Sequence, residues 1–193
     1  AVIDVAQGKQ PMQAAWNGIT ATIVYNGEIY NCPELRHQLQ QEGAVFQTTC
    51  DTEVVLQAYL HWGKACVQKL NGIFAFAIWE AETKRLFLAR DRIGVKPLFY
   101  AEVPDGLVFA SELKALLLHP QVPHEIDATG IAELLLMGPG RTPGCGVFRT
   151  VRELKPAQCG WYQDGSLSIE CYWSLQAKPH TETFPQTAEH VRY

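Results

Sequence analysis

Residues 72–79 read Gly72-Ile73-Phe74-Ala75-Phe76-Ala77-Ile78-Trp79, a nearly continuous apolar run in which large and small side chains alternate. Successive side chains of a strand point to opposite faces of its sheet. The run therefore predicts a strand covered on both faces, or a strand with one face against a close-packed layer. After a turn at residues 80–84, Arg85–Arg90 returns as a second strand, which predicts a hairpin in mid-chain.

Turn signals divide the rest of the chain into further short segments. Pro104-Asp105-Gly106 separates apolar segments at residues 97–100 and 107–110, and Gln163-Asp164-Gly165 separates residues 158–162 from residues 167–172. Apolar residues at helical spacing occur between them, as at residues 51–62. Strands with interspersed helices, and then strands again, indicate an α+β fold in which helices cover antiparallel sheets.

The composition is that of a globular domain and argues against several classes of function. The chain has 193 residues, of which 47% are hydrophobic, with a mean hydropathy of -0.08 and a formal net charge of -4. Its lysines and arginines are scattered rather than striped, so we expect no nucleic acid partner. No apolar run reaches membrane-spanning length and no signal peptide opens the chain, so we expect no membrane contact and a cytoplasmic protein.

The six cysteines lie far apart, and no two of them form a C-x-x-C pair. The histidines supply no H-x-x-x-H companion, so we expect no metal. Without a secretory signal, reduced thiols are favoured over disulfides.

A β-branched run at residues 20–24 precedes residues 25–31, which read Tyr-Asn-Gly-Glu-Ile-Tyr-Asn. The run predicts a buried strand. An asparagine amide and a glycine N–H at the end of a strand can converge on one oxygen atom, which is what a developing oxyanion needs. The same Asn26-Gly27 pair is also a hairpin-turn signal. The residues after the pair lead into a helix rather than a second alternating strand, which weakens the hairpin interpretation.

Five segments in one order carry a resemblance to a known family. They are Asn26-Gly27-Glu28-Ile29-Tyr30-Asn31, Asp51-Thr52-Glu53-Val54, Gly72-Ile73-Phe74-Ala75-Phe76-Ala77, Arg90-Asp91-Arg92-Ile93-Gly94-Val95-Lys96-Pro97-Leu98 and Ser111-Glu112-Leu113-Lys114. Together they resemble the class II glutamine amidotransferase domain of glutamine-hydrolysing asparagine synthetases. Each segment alone is modest, whereas five in sequence are highly specific.

The resemblance implies an N-terminal-nucleophile hydrolase fold, a four-layer sandwich of two antiparallel sheets with helices outside. It implies hydrolysis of the side-chain amide of L-glutamine, with no cofactor in this domain. The ammonia would pass to a synthetase domain that uses ATP and Mg to amidate aspartate. In this interpretation residues 1–173 form part of the amidotransferase domain, residues 174–193 form the linker and the start of the synthetase domain, and the full-length form is a candidate homodimer.

The resemblance also assigns roles to particular residues. The Asn26 side-chain amide and the Gly27 backbone N–H match the oxyanion hole, and Asp51 matches the position that holds the α-ammonium group of glutamine. The residues matched to glutamine binding are Ala1, Val2, Ile3, Asn26, Gly27, Glu28 and Asp51. From the residues alone, Asp51 is more often a helix N-cap, a role compatible with substrate binding, and Glu28 could be a solvated turn residue.

The family's nucleophile is a cysteine at the first position of the mature chain, where the free α-amine or a nearby water moves the proton. The resemblance places Ala1 well inside the family domain, downstream of that cysteine and of an arginine that clamps the glutamine carboxylate. Cys32 and Cys50 lie near the matched segments but have no α-amine beside them. We therefore expect the 193-residue chain to be a fragment that does not hydrolyse glutamine by itself.

The charged segment at residues 90–96 has two interpretations. Arg90, Asp91, Arg92 and Lys96 could form a phosphate site, but ion pairs and hydrogen bonds to backbone carbonyls around a tight turn at Gly94 are favoured. We expect a structural segment with no catalytic role.

Two rival functions stay open at this point. An amidotransferase of the same fold could pass ammonia to a sugar phosphate or to phosphoribosyl pyrophosphate. A protein of a different class would be a non-catalytic module that binds glutamine or a partner. The sequence of the downstream domain would test the first alternative, and the sequence before Ala1 would test the second.

Overall fold

The computed structural model describes residues 8–138, 140–177 and 179–191. The strands in these ranges are β1 (Met12–Trp16), β2 (Ile19–Ile29), β3 (Gly72–Glu80), β4 (Arg85–Arg90), β5 (Phe99–Val103), β6 (Gly106–Ala110), β7 (Val151–Glu153), β8 (Gln158–Gln163) and β9 (Ser166–Cys171). The helices are α1 (Cys32–Gln41), α2 (Asp51–Trp62), α3 (Cys66–Lys69), α4 (Leu113–Leu117), α5 (Ala128–Leu136) and α6 (Phe184–Val191). Not one helix in these ranges has the length and apolar character needed to cross a membrane.

The strands form two antiparallel sheets. The larger sheet has the order β1-β2-β3-β4-β8-β9, and the smaller has the order β6-β5-β7. Strand β3 is central to the larger sheet, because it pairs with β2 along one edge and with β4 along the other. The predicted mid-chain hairpin is the β3–β4 pair, in which Ile78 lies opposite Phe87.

Side chains alternate along β3 and separate two apolar layers. Phe74, Phe76 and Ile78 pack in a core with residues of α1 and α2, whereas Ala75 and Ala77 pack in a second core with residues of the smaller sheet. A third core lies between the other face of the smaller sheet and α4. The chain is therefore a four-layer sandwich of helices, large sheet, small sheet and helix, which confirms the predicted α+β architecture.

The Asn26-Gly27 pair lies inside β2 rather than at a turn. Asn26 is opposite Ala75 and Gly27 is opposite Phe74, and the pairing continues to Ile29. The hairpin interpretation is wrong, and so is the prediction that the strand ends before this pair. Strand β3 supplies ladder partners for β2 as far as Ile29, and this pairing outweighs the local turn propensity.

Asp91, directly after β4, anchors the charged segment. It is fully buried, and its carboxylate accepts hydrogen bonds of 2.9 to 3.3 Å from the backbone N–H groups of Phe74, Ile93, Val95 and Lys96. One side chain thus ties a turn to the central strand β3. The predicted structural role is confirmed for this residue.

Arg90 satisfies carbonyl groups on the same turn and on the segment after β7. Its guanidinium donates to the carbonyl oxygens of Gly94, Lys96 and Leu154 at 2.6 to 2.9 Å and pairs with Glu153 at 3.1 Å. These contacts use the donors that a phosphate would need. The phosphate interpretation is therefore wrong for Arg90, and the predicted ion pair and carbonyl contacts are confirmed.

Replacing Asp91 should destabilise the fold. We expect Asp91→Ala in the full-length protein to lower the free energy of unfolding by roughly 3 to 5 kcal/mol, because it strips buried N–H groups of their acceptor. Chemical denaturation measures the change. Asp105→Ala, which removes an exposed carboxylate, is the matched control and should cost less than about 1 kcal/mol. Equal effects of the two variants would contradict the anchoring role.

Helix α5 presents apolar side chains outward. Gly130 and Glu133 are the buried residues of this helix, whereas Leu134, Leu135 and Leu136 are 54%, 77% and 82% exposed. An amphipathic helix on the surface of a domain normally has the opposite arrangement. Exposed leucines grouped in this way are typical of surfaces that contact another protein or domain.

Candidate active site

A cavity of about 160 Å³ lies where β2 passes the first turn of α2. Its walls come from β2, from the start of α2, from the turn after β4 and from the segment before β1. The lining residues are Gln10, Tyr25, Asn26, Gly27, Asp51, Thr52 and Lys96. The fold therefore brings the predicted site residues Asn26, Gly27 and Asp51 to one cavity.

The backbone N–H of Gly27 points to the open edge of β2. Two residues earlier, the N–H and C=O groups of Tyr25 face this edge, where the Gln10 side-chain amide binds them at 2.6 and 2.9 Å. In an antiparallel strand both backbone groups of a residue point to one side, and residues two apart share that side. Strand β1 pairs with β2 only as far as Met12 opposite Ile23. Within residues 8–138, 140–177 and 179–191, no strand pairs with this edge of β2 beside Gly27, so the Gly27 N–H is left for a ligand oxygen.

Glycine at position 27 is explained by close packing and not by the flexibility of a turn. A Cβ atom there would clash with the carbonyl oxygen of Ile73 and would lie 2.8 Å from the Cα of Phe74. Both residues belong to β3, which approaches β2 closely at this point. Glycine therefore keeps this peptide in register, with its N–H directed to the cavity.

Asn26 lies at the junction of two cavities. Its exposed side chain lines the 160 Å³ cavity and also a second one of about 200 Å³ between the two sheets. The second cavity has mainly apolar walls, which include Ala75, Ala77 and Leu98. The Asn26 carboxamide and the Gly27 N–H border one space, and two such donors can stabilise a single negatively charged oxygen.

Asp51 is the first residue of α2 and does not cap the helix. The N-cap residue is Cys50. The Asp51 carboxylate instead accepts a hydrogen bond of 2.7 Å from the Tyr25 hydroxyl. The cap interpretation is wrong because Asp51 already lies within the first turn of α2 and its carboxylate binds the Tyr25 hydroxyl. Glu53, in the same turn, accepts backbone N–H groups of the preceding loop, including that of Thr48 at 2.7 Å.

The surroundings of Asp51 suit a positively charged ligand group. Asp51 is only 7% exposed, and the N-terminal end of α2 favours its negative charge. Burial and the hydrogen bond to Asp51 raise the pKa of the Tyr25 hydroxyl, so Tyr25 remains a neutral donor. An ammonium group that enters the cavity would find a fixed carboxylate.

Other predicted residues are not brought to this cavity. Glu28 is exposed and lines neither of the two cavities beside Asn26. The predicted residues Ala1, Val2 and Ile3 lie outside the described residues.

Four lining residues were not predicted from the sequence: Gln10, Tyr25, Thr52 and Lys96. Tyr25, Thr52 and Lys96 each lie in or beside a matched segment, which is the signal that could have found them. Gln10 has no local signal, because its role depends on a contact with Tyr25, 15 residues away.

The cysteines do not serve this site. All six are free, and none lines either cavity beside Asn26. Burial and the nearby Asp51 carboxylate raise the pKa of the Cys32 thiol to about 12, so it is a poor nucleophile at neutral pH. Over the described ranges, no group of three or more His, Cys, Asp or Glu side chains could hold a metal ion.

Comparison with known proteins identifies the family of this domain. The chain belongs to the glutamine amidotransferase domain family, whose model matches residues 1–173. Two solved structures share the fold of N-terminal-nucleophile hydrolases. One, described as the allosteric regulatory enzyme of purine biosynthesis, has a TM-score of 0.61 and 25% identity, covering 85% of this chain and 31% of that chain. The other, glutamine phosphoribosylpyrophosphate amidotransferase from B. subtilis, has a TM-score of 0.59 and 24% identity, covering 85% and 32%.

Curated relatives narrow the class further. The chain is 45% identical over 192 residues to "Asparagine synthetase [glutamine-hydrolyzing] 3" of Bacillus subtilis (strain 168), covering 100% of this chain and 31% of that protein. It is 36% identical over 179 residues to "Asparagine synthetase [glutamine-hydrolyzing] 1" of the same organism, covering 92% and 28%. The chain thus spans less than a third of the length of these relatives.

Proposed function

We propose that this chain is the glutaminase part of a glutamine-dependent asparagine synthetase and that it acts on the side-chain amide of L-glutamine. The observation that carries the proposal is that Asn26, Gly27 and Asp51 line one cavity. Two N–H donors suit an oxyanion, and a buried carboxylate suits the α-ammonium group of the same molecule. The names of the relatives at 45% and 36% identity support glutamine as the amide donor.

The reaction needs a nucleophile, which we place upstream of Ala1 as the chain-terminal cysteine of the resembling family. Its sulfur would bond to the amide carbon, and the C=O electron pair would move onto the oxygen facing Asn26 and Gly27. Collapse would break the C–N bond, and the nitrogen would take the proton lost by the thiol and leave as ammonia. Water would then cleave the thioester and release glutamate with the free thiol.

Further contacts are proposed for L-glutamine bound with its side-chain amide at Asn26 and Gly27. We propose that Asp51, held by Tyr25, binds the α-ammonium group of glutamine. Glu28 comes after Gly27 on β2 and stays a predicted substrate contact. Ala1, Val2 and Ile3 stay predicted to line the pocket with their backbone.

The ammonia acceptor would belong to the rest of the full-length protein. The family model ends at residue 173, which supports a domain over residues 1–173 and a linker with the start of a synthetase domain over residues 174–193. We propose that the synthetase domain binds ATP and Mg and amidates aspartate. A homodimer, a cytoplasmic location and the absence of a nucleic acid partner stay predictions.

The proposal is tested with full-length protein and L-glutamine labelled with ¹⁵N in its side-chain amide. We expect glutamate to form, and the label to appear in asparagine when aspartate, ATP and Mg are present. Mass spectrometry measures both products. Failure to form glutamate would contradict the glutaminase assignment, whereas glutamate with no labelled asparagine would contradict only the acceptor.

We expect the outward face of α5 to contact the synthetase domain. Leu135→Glu should lower labelled asparagine per glutamate by roughly tenfold and leave glutamate formation intact, because it buries a charge in an apolar interface. Val45→Glu, at an exposed site with 76% exposure against 77% for Leu135, is the matched control. If Leu135→Glu and Val45→Glu form the same amount of labelled asparagine per glutamate, this contact is contradicted.

A further inference from the structure

Lys96 lines the 160 Å³ cavity proposed to bind glutamine, and its positive charge has no role in the mechanism given above. Among the described residues that line this cavity, it is the one with a cationic side chain. It is half-buried, and within the described ranges its ammonium group has no hydrogen-bond or ion-pair partner. Lys96 and Asp51 share the cavity without an ion pair, so both charges remain for a ligand.

The main chain fixes Lys96 rigidly. Its N–H donates to the Asp91 carboxylate at 2.9 Å, and its carbonyl oxygen accepts from the Arg90 Nε at 2.7 Å. The same oxygen of Asp91 accepts the N–H of Phe74, which is the residue opposite Gly27. The backbone of Lys96 is thereby tied to the β3 residue that pairs with Gly27, and its side chain lines the cavity that Asn26 and Gly27 border.

We propose that Lys96 is a catalytic residue of glutamine hydrolysis, whose ammonium group stabilises the negatively charged oxygen formed at Asn26 and Gly27. This inference rests on the proposed function. A charged donor strengthens an oxyanion hole more than a neutral one does. The expectation of a purely structural segment then holds for Arg90 and Asp91, whose side chains are used internally, and not for Lys96.

A charge series in the full-length protein tests the proposal. We expect kcat for glutamate formation to fall in the order wild type, Lys96→Arg, Lys96→Met and Lys96→Glu, with roughly a 10-fold to 100-fold loss for Lys96→Met. KM for L-glutamine should change by less than about threefold, because the charge acts on the transition state. Lys114→Met, at an exposed lysine, is the control and should keep wild-type kcat.

Three outcomes would overturn the assignment. They are an unchanged kcat for Lys96→Met and Lys96→Glu, a raised KM with unchanged kcat, and an equal loss for Lys96→Arg and Lys96→Met together with a lowered thermal midpoint. The last would show a structural role. If the wild-type protein itself forms no glutamate, the proposed glutaminase function fails. The three outcomes above concern variants of an active wild-type protein, so the two kinds of failure can be distinguished.

Discussion

Asn26→Ala in the full-length protein should lower kcat for glutamine hydrolysis by roughly 100-fold to 1000-fold, the loss expected on removal of one oxyanion donor. KM should change little, because the amide acts on charge that develops only in the transition state. Asn26 is exposed, so the truncation removes no core packing. Glutamate formation over a range of L-glutamine concentrations gives both constants.

Two controls separate chemistry from folding in that experiment. Asn71→Ala removes a second exposed asparagine side chain that lies outside the cavity and should leave kcat unchanged. Asparagine formation from added ammonia should also be unchanged in Asn26→Ala, because it bypasses the glutaminase site. A wild-type kcat in Asn26→Ala would remove the oxyanion assignment.

Asp51→Asn should raise KM for L-glutamine by roughly 100-fold, because it removes the charge opposite the α-ammonium group, a loss of about 3 kcal/mol. The asparagine side chain keeps an oxygen for the Tyr25 hydroxyl, which donates to Asp51 at 2.7 Å in the native protein. Tyr25→Phe removes that hydrogen bond alone and should weaken the binding of L-glutamine by about 1 kcal/mol. Steady-state kinetics of the two variants give the comparison.

A substrate analogue sharpens the Asp51 test. Glutaramic acid has the side-chain amide of glutamine but no α-amine, so it lacks the group that Asp51 is proposed to bind. Wild-type protein and Asp51→Asn should therefore act on it with similar kcat/KM. A defect in Asp51→Asn that is as large with glutaramic acid as with glutamine would show that Asp51 serves another purpose.

The layered fold could be predicted because one strand carries the pattern. The large residues of β3 face the helices and its alanines face the second sheet, so the alternation specifies both neighbours at once. Strand β7, with three residues, is too short to give a period of its own and depends on its pairing with β5. The sequence of helix α5 contains Ile131, Leu134 and Leu135 at helical spacing, but periodicity cannot tell which side of a helix is covered.

Three of the candidate site residues named from the sequence, Asn26, Gly27 and Asp51, line one cavity, but the geometry around them was predicted less well. The Asn26-Gly27 pair has the same local sequence in a turn and in a strand, and only the ladder with β3 decides between them. Gln10 reaches the cavity through a contact with Tyr25, 15 residues away, which is not visible in a local pattern. Contacts between residues distant in the sequence thus determine the geometry of the cavity, which the sequence motifs alone do not specify.

The most direct measurement is a crystal structure of the full-length protein with bound L-glutamate. We expect one side-chain carboxylate oxygen within about 3 Å of both the Asn26 Nδ2 and the Gly27 backbone N, with the α-ammonium group on Asp51. Glutamate bound away from this cavity would contradict the central claim. So would glutamate bound in reverse, with its α-carboxylate at Asn26 and Gly27.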